Sequence, residues 1–256
     1  MRIGIAGYGR MGRLFERCLG GRFEVIFYSE HGRSDVGSLE ELYLKSDVIM
    51  VASSLDTVPK RLERLAEISR EHGGKKIVFD IATFKSRVVE AYAGFGEETR
   101  VASVHPMFGP GAKTIEGKRF ITVPIPGREK DAEEVADFIR SIGGNVSFLD
   151  WKTHDRLMGF VIGVPYFIGL SYLSLSRELG LEEFGGTSWA FLETYGKAVL
   201  HDSPDFIREV LSMSREQIEE FLDFMRKNPP DPERLREKLE WEEIEEAYER
   251  FYRALE

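Results

Sequence analysis

The chain has 256 residues, enough for one large domain or two smaller ones with buried cores. Its composition, 42% hydrophobic and 31% charged, is typical of a soluble globular protein. The formal net charge of −9 argues against nucleic acid as the main partner, and the single cysteine, Cys18, excludes an internal disulfide. Because the N-terminus also has no signal-peptide pattern, we expect a cytoplasmic protein.

Residues 1 to 150 alternate short apolar runs with amphipathic runs, which predicts a parallel sheet wrapped by α-helices. Helical spacing of apolar residues appears around 11–19 and 135–142. We therefore expect a Rossmann-type α/β domain over residues 1–150. The predicted strands are RIGIAG (2–7), FEVIFYS (23–29), DVIMVAS (47–53), KIVFDIA (76–82), RVASVH (100–105), RFITVPI (119–125) and NVSFLD (145–150).

A glycine-rich loop follows the first predicted strand and opens the first helix. Gly7, Gly9 and Gly12 have the G-x-G-x-x-G spacing of dinucleotide-binding loops. The first glycine permits a tight turn, the second lets a pyrophosphate approach the backbone, and the third lets the helix pack against the sheet. The sequence therefore predicts a bound nicotinamide dinucleotide, and no metal is expected. The other loop residues predicted to contact it are Tyr8, Arg10 and Met11.

The end of the second strand carries conflicting signals about the cofactor. Glu30 would accept hydrogen bonds from the ribose hydroxyls of NAD and repel the 2′-phosphate of NADP, unless it points to solvent. Arg33 and Ser34, close by, suit that phosphate. We favour NAD, with NADP as the alternative. The remaining predicted cofactor contacts are Ser29, Ser53 and Ser54.

The run SVHPMFGP (103–110) ends a predicted strand in a histidine followed by a proline. His105 falls at the carboxyl end of its strand, the edge where open α/β sheets bind ligands. Pro106 restricts the backbone before it, so the imidazole is held in one direction. An isolated histidine in such a place often makes only a structural contact.

A second strand end adds polar groups to the same edge. DIATFK (80–85) brings Asp80, Thr83 and Lys85 there, although Asp80 and Thr83 would also serve as capping residues. Combined with the glycine loop and His105, these residues favour a hydride-transfer site in which His105 is the base.

From Trp151 onward the strand pattern gives way to helices, which predicts an all-helical domain over 151–256. Ser203 and Pro204 are typical of a helix start, and His154 and Asp155 are expected to cap the first helix. The predicted helices cover 153–178, 187–200, 204–227 and 234–256.

The segment 157–175 carries no charge, and its length approaches that of a membrane span. Its internal glycines and proline favour a buried helix at a domain or subunit interface instead. We expect no membrane association, and a homodimer formed through the helical domain, with Gly159 and Gly163 allowing close approach of two chains.

Four of these stretches together resemble prephenate dehydrogenases, the TyrA family of tyrosine biosynthesis. SVHPMFGP is similar to the family's His-Pro-Met-Phe-Gly-Pro motif, and DIATFK to its Asp-x-Ala-Ser-x-Lys strand end. GIAGYGRMG matches the cofactor loop, and THDRLMGFVIGVPYFIGLSY (153–172) resembles the start of the helical dimerisation domain.

The resemblance implies an NAD(P)-dependent oxidative decarboxylation of prephenate to 4-hydroxyphenylpyruvate. By position, His105 is the catalytic residue that accepts the substrate hydroxyl proton, and Thr83 supports the substrate or His105. Lys197 stands where the family usually has a carboxylate-binding arginine, and Tyr166 where many relatives have a histidine. Lys197, Tyr166 and Lys113 are the substrate-binding candidates.

Three alternatives stay open. Arogenate differs from prephenate by an amino group in place of the keto group, and no residue separates the two substrates. Another dehydrogenase or reductase with the same plan, of the pyrroline carboxylate or hydroxyacid type, would share the glycine loop but not HPMFGP. A protein that senses NAD(P) without turnover would bind the cofactor and leave prephenate unchanged.

Overall fold

The computed structural model describes residues 1–255 and divides the chain into two compact units, Met1–Asp155 and Arg156–Glu256. The first contains all strands of the described chain, and the second is helical. The boundary falls within the helix that follows the last strand.

Seven strands form one sheet in the first unit, in the order β2-β1-β3-β4-β5-β6-β7. All neighbours pair in parallel except β5 and β6, which are antiparallel. The predicted parallel sheet is confirmed apart from this pair, where residues 107–118 contain no helix to carry the chain back across the sheet. The strands are β1 (Arg2–Ala6), β2 (Glu24–Tyr28), β3 (Val48–Val51), β4 (Ile77–Asp80), β5 (Arg100–Pro106), β6 (Arg119–Val123) and β7 (Asn145–Phe148).

Helices cover both faces of this sheet and give it two cores. One core packs α2 and α3 against the sheet around Tyr43 and Leu62, and the other packs α1 and α4 around Phe15 and Phe138. Strands buried on both faces explain the continuous apolar runs in the sequence. The helices are α1 (Arg10–Leu19), α2 (Leu39–Lys45), α3 (Val58–His72) and α4 (Asp131–Ser141), with a 3-10 turn at Val89–Tyr92.

Strand register aligns the carboxyl ends of β1 to β4 in one row with Ser103, near the end of β5. Ala6 pairs with Tyr28 on one side and Val51 on the other, and the row continues through Asp80 to Ser103. The chain reverses its winding direction between β2 and β3 on either side of β1, which creates the crevice where such sheets bind ligands. The predicted cofactor residues and Thr83 lie in the loops after these strand ends or in the first turn of α1, and His105 is the penultimate residue of β5. Lys113 lies further away along the chain, in the segment between β5 and β6.

A long helix leads from the first unit into the second and is continued by shorter ones. The predicted single helix over 204–227 is broken at Ser214, and the predicted helix over 234–256 is broken before Glu240, which caps α11 through a capping box with Glu243. Ser203 caps α8, with Pro204 in its first turn, as predicted. The elements are α5 (Trp151–Met158), a π-helical turn (Gly159–Gly163), α6 (Val164–Leu179), a 3-10 turn (Leu181–Glu183), α7 (Thr187–Val199), α8 (Pro204–Met213), α9 (Arg215–Lys227), α10 (Pro232–Arg236) and α11 (Trp241–Arg253).

The helix Trp151–Leu179 is apolar but not fully buried within the chain. By length and composition alone it is a candidate membrane span, although a lone helix of this kind is weak evidence, and 33% of its most apolar window is buried. Gly163 lies against Ser214, and Gly159 lies against Gln217. The expectation that these glycines serve contact between two chains is therefore wrong, because both are taken up by contacts within one chain.

Candidate functional site

The glycine loop has the geometry that a dinucleotide requires. Gly7 has φ +129°, which favours glycine, and a Cβ there would collide with the Ala52 carbonyl. A Cβ on Gly12 would collide with the Gly7 carbonyl, so the third glycine allows helix and loop to touch. Gly9 is exposed, and a Cβ on it would meet only the Ala52 carbonyl, at 3.9 Å. An open backbone directly before the N-terminus of α1 fits a pyrophosphate.

The other predicted loop residues shape this cradle. The Tyr8 ring meets Phe27 edge-on at 4.9 Å, and Met11 packs against the apolar core under α1. Arg10 is the first residue of α1. The side chains of Tyr8 and Met11 therefore support the loop from the sheet side.

Near the end of β2, Arg33, the cation that would suit the 2′-phosphate of NADP, is already paired with carboxylates. Arg33 pairs with Asp35 at 3.0 Å and with Glu16 at 2.5 Å, and hydrogen bonds to these two carboxylates raise its pKa. Ser29 donates its hydroxyl to the His31 carbonyl at 2.6 Å. Glu30 is the carboxylate left at this corner, with 59% of its side chain exposed.

A buried arginine that the sequence analysis missed faces Glu30. Arg61, in α3, donates to the Ser53 hydroxyl at 2.5 Å and lies 3.7 Å from the Glu30 carboxylate. Ser53 in turn donates to the Ala6 carbonyl at 2.8 Å. The Ser54 hydroxyl instead forms a hydrogen bond with the Thr57 hydroxyl at 2.9 Å, apart from this cluster.

His105 begins a chain of three buried or half-buried polar side chains. Its Nδ1 lies 3.0 Å from Nε2 of His154, and Nδ1 of His154 lies 2.8 Å from the Asp155 carboxylate. His105 is 6% exposed and His154 is fully buried. The backbone amides of Lys85 and Ser86 donate to Asp155 at 2.7 and 2.8 Å, which fixes the far end of the chain.

The prediction that His154 and Asp155 cap the helix is therefore wrong. Asp150 accepts from the amides of Lys152 and Thr153 and caps the helix instead. His154 and Asp155, one turn further along, are free to face the sheet edge. The adjacent His154 and Asp155 were the sequence signal for this contact with His105, but they were interpreted as capping residues.

The hydrogen bonds that link His105, His154 and Asp155 determine which imidazole nitrogens carry protons. An ionised Asp155 only accepts hydrogen bonds, so Nδ1 of His154 carries the proton and its Nε2 accepts from Nδ1 of His105. Nε2 of His105 is then left with a lone pair. The arrangement presents a proton acceptor at the carboxyl end of β5.

The electrostatic surroundings keep both histidines neutral. Burial, the nearby Lys85 charge and His154 together hold the pKa of His105 well below its usual range. Burial also lowers the pKa of His154, against the opposing effect of Asp155. Burial alone would raise the pKa of Asp155, but hydrogen bonds from His154, Lys85 and Ser86 outweigh it, and the pKa is lowered.

A second buried network lies beneath His105. The Lys85 ammonium, fully buried, donates to the carbonyls of Ala82 and Val104 at 2.6 and 2.9 Å and lies 3.6 Å from Asp80. Asp80 also accepts from the hydroxyls of Tyr92 and Ser103 at 2.7 and 2.6 Å. The charged groups of Lys85 and Asp80 are therefore both engaged in structural contacts. These contacts link the ends of β4 and β5.

Thr83 is half-buried in the loop after β4. The structure does not pair it with His105, since within residues 1–255 its hydroxyl has no hydrogen-bond partner. Its hydroxyl is left available, whereas Lys85 from the same motif is not.

The substrate-binding candidates of the second unit are each engaged. Lys197 lies in α7 with 55% of its side chain exposed, and its ammonium is 3.0 Å from the buried Glu193 carboxylate. Glu193 also pairs with Arg177. The Tyr166 hydroxyl donates to Asp202 at 2.6 Å. In the first unit, Lys113 is exposed on the segment between β5 and β6.

No family model matches the chain. A probable arogenate/prephenate dehydrogenase from Methanocaldococcus jannaschii is 26% identical over 141 residues, which cover 54% of this chain and 31% of that protein. A protein named T-protein from Enterobacter agglomerans is 24% identical over 176 residues, covering 68% of this chain and 45% of that protein. The chain thus spans less than half the length of either curated relative.

Among solved structures, a prephenate dehydrogenase from Aquifex aeolicus, in complex with hydroxyphenyl propionate and NAD+, is similar over 100% of this chain and 94% of its own. The TM-score is 0.68 at 17% identity, so this likeness concerns the fold. It confirms an α/β sheet region followed by an all-helical region.

Proposed function

We propose that this chain, which belongs to the prephenate/arogenate dehydrogenase family, catalyses the NAD-dependent oxidative decarboxylation of prephenate to 4-hydroxyphenylpyruvate. The observation that carries the proposal is the buried chain from His105 through His154 to Asp155, on the same sheet edge as the glycine loop. A neutral imidazole with one free lone pair suits removal of a proton from a hydroxyl group.

His105 serves as the base through its Nε2 atom. It takes the proton of the ring hydroxyl as the C–O bond becomes a carbonyl and the ring carboxylate leaves as carbon dioxide. The electrons of the broken C–C bond make the ring aromatic, and His105 returns the proton to the phenolate oxygen. His105 therefore ends the reaction in the protonation state in which it began. His154 orients the imidazole during both proton transfers.

Gly7, Gly9, Gly12 and the N-terminus of α1 would hold the pyrophosphate, and Glu30 the adenosine ribose. When bound, the nicotinamide dinucleotide supplies the acceptor for the hydride lost from the carbon that carries the hydroxyl. The steric limits at Gly7 and Gly12 and the open backbone of Gly9 support this assignment.

Lys197, Tyr166 and Lys113 are the proposed ligands of the substrate's polar groups, and Thr83 is proposed to assist at the hydroxyl. Lys197 supplies a charge but not the two-pronged hydrogen bond of an arginine. Glu193 beside Lys197 holds a carboxylate near that ammonium. A carboxylate there also suits the amino group of arogenate, so arogenate is the second candidate substrate.

The experiment is to mix the protein with prephenate or arogenate and NAD or NADP, and follow the absorbance of reduced nicotinamide while assaying the aromatic product. Reduced NAD with an equal amount of 4-hydroxyphenylpyruvate supports the proposal. Turnover of arogenate alone would reassign the substrate. Cofactor binding without turnover of either substrate would favour another dehydrogenase or an NAD(P) sensor and contradict the proposal.

We also propose a homodimer formed through the helical unit, working in the cytoplasm. Val161, Ile168 and Leu175 recur every seven residues along one helix and are 53%, 37% and 50% exposed in the single chain. An apolar stripe of this kind favours burial against a partner. Light scattering at micromolar concentration should give twice the monomer mass, and a monomer would contradict the proposal.

A further inference from the structure

Arg61 is a buried cation whose hydrogen-bonding capacity is not used up. It lies in the first turns of α3, a helix with many charged residues, yet the residue is only 9% exposed. Its guanidinium lies over the Tyr28 ring at 5.6 Å and donates to Ser53 at 2.5 Å. Within the described chain, its buried Nε has no hydrogen-bond partner.

The contact with Glu30 does not account for this burial. The two charged groups are 3.7 Å apart, beyond hydrogen-bond distance, and Glu30 is largely exposed. A guanidinium carries five N–H donors, and leaving a buried one unpaired is costly. The site therefore lacks an acceptor of the kind that a carboxylate or phosphate oxygen provides.

The position of Arg61 points to the adenosine end of the dinucleotide. Tyr28 ends β2 and Ser53 follows β3, so Arg61 is held between the strand ends on either side of the glycine loop. Discrimination between a ribose hydroxyl and a 2′-phosphate takes place at the end of the second strand. Arg33, the other cation there, is already paired with Glu16 and Asp35.

We propose that Arg61 and Glu30 together select the cofactor, and that Arg61 is a 2′-phosphate site which Glu30 keeps closed. With Glu30 present, its carboxylate accepts from the ribose hydroxyls, offsets the charge of Arg61 and repels a phosphate, so NAD is preferred. Without that carboxylate, the guanidinium nitrogen of Arg61 that faces Glu30 can donate a charge-assisted hydrogen bond to a phosphate. The inference rests on the proposed function only in requiring a dinucleotide at the glycine loop.

The test is to titrate the full chain with NAD and with NADP by calorimetry, in the absence of substrate. Glu30→Gln should bind NADP about tenfold or more tightly than the parent and NAD more weakly, because one charge-assisted contact is gained and one is lost. Glu30→Gln combined with Arg61→Gln should lose the gain for NADP. Arg64→Gln, in the same helix and paired with Glu67, is the matched control and should change neither affinity.

Because Arg61 is buried, Arg61→Lys in the Glu30→Gln background provides a second variant that keeps the charge. It should retain part of the gain for NADP, and circular dichroism should show a folded protein. If Glu30→Gln binds NADP equally well with and without Arg61, the inference is overturned while the proposed function stands. If no variant binds either nucleotide, the proposed function fails and the inference fails with it.

Discussion

The polar groups around His105 and those around Lys197 are built in opposite ways. His105, His154 and Asp155 form a buried sequence of hydrogen bonds that ends on two backbone amides. Lys197 and Arg177, about half exposed, share one buried carboxylate, Glu193. The first arrangement leaves one free acceptor of defined position, whereas the second places two half-exposed cations around one buried anion.

The two arrangements suit different roles, proton transfer at His105 and ligand binding at Lys197. A base needs a defined protonation state before the substrate arrives, and burial with ordered hydrogen bonds provides it. Ligands for a substrate's carboxylates or amino group need charge, and side chains near water provide that with less cost in desolvation.

The largest effect is expected from loss of the base itself. His105→Asn removes the proton acceptor and should lower kcat roughly 10²–10⁴-fold. NAD affinity should stay unchanged, because no glycine-loop residue is altered. Steady-state kinetics and a cofactor titration check this prediction, and near-normal turnover would remove the role of His105.

A smaller loss is expected when His105 keeps its ring but loses its orientation. His154→Leu leaves Nδ1 of His105 without an acceptor and should lower kcat roughly tenfold to a hundredfold. It also removes one cause of the lowered pKa of His105, so the acid limb of the pH profile should move to higher pH. His154→Gln, which offers an amide oxygen but carries no charge, is the matched variant and should recover part of the lost kcat. A reduced kcat with an unmoved pH profile in His154→Leu would point to a purely structural role.

In the helical unit, the expected effect falls on KM. Lys197→Gln removes a charge and should raise KM for prephenate roughly tenfold, with a smaller change in kcat. Lys197→Arg adds a second parallel donor and should lower KM. Lys227→Gln, an exposed lysine of α9 paired with Asp223, serves as the control. Equal KM values for all variants would exclude Lys197 as a substrate ligand.

The smallest effect is on stability at acid pH. The folded pKa values of His105 and His154 lie below the unfolded value of about 6.5, so the unfolded chain binds more protons as pH falls through this value. The contribution of these two histidines to the free energy of unfolding is therefore fully present above pH 6.5. It decreases as the pH falls below this value toward the folded pKa values. Tm measured between pH 7.5 and 5 should fall less in His105→Asn than in the parent. The exposed His31→Gln should behave like the parent, and an equal fall in all three would contradict the account.

Much of the fold followed from local patterns. Each of the seven apolar runs became a strand, because residues buried on both faces of a sheet leave a continuous apolar signal. The antiparallel β6 was not predicted, since direction depends on whether the connecting segment forms a helix. The break at Ser214 lies against Gly163, a contact between residues distant in sequence that no local pattern records.

The site was predictable where its residues sit in motifs and not where they meet through space. Gly7 and Gly9 lie in the loop directly after β1, and His105 is the penultimate residue of β5, so their positions could be predicted. His154 reaches His105 across 49 positions of sequence, and Asp150 rather than Asp155 caps the helix. Arg61 lies in a helix with many charged residues, where an arginine is normally solvated.

The most direct test of the central claim is to locate the imidazole protons by ¹⁵N NMR of the histidine rings at neutral pH, with His105→Asn used for assignment. We expect His105 and His154 both to be neutral and to carry their proton on Nδ1, leaving Nε2 of His105 as a free acceptor. A proton on Nε2 of His105, or a charged His105, would leave the site without its base and contradict the account.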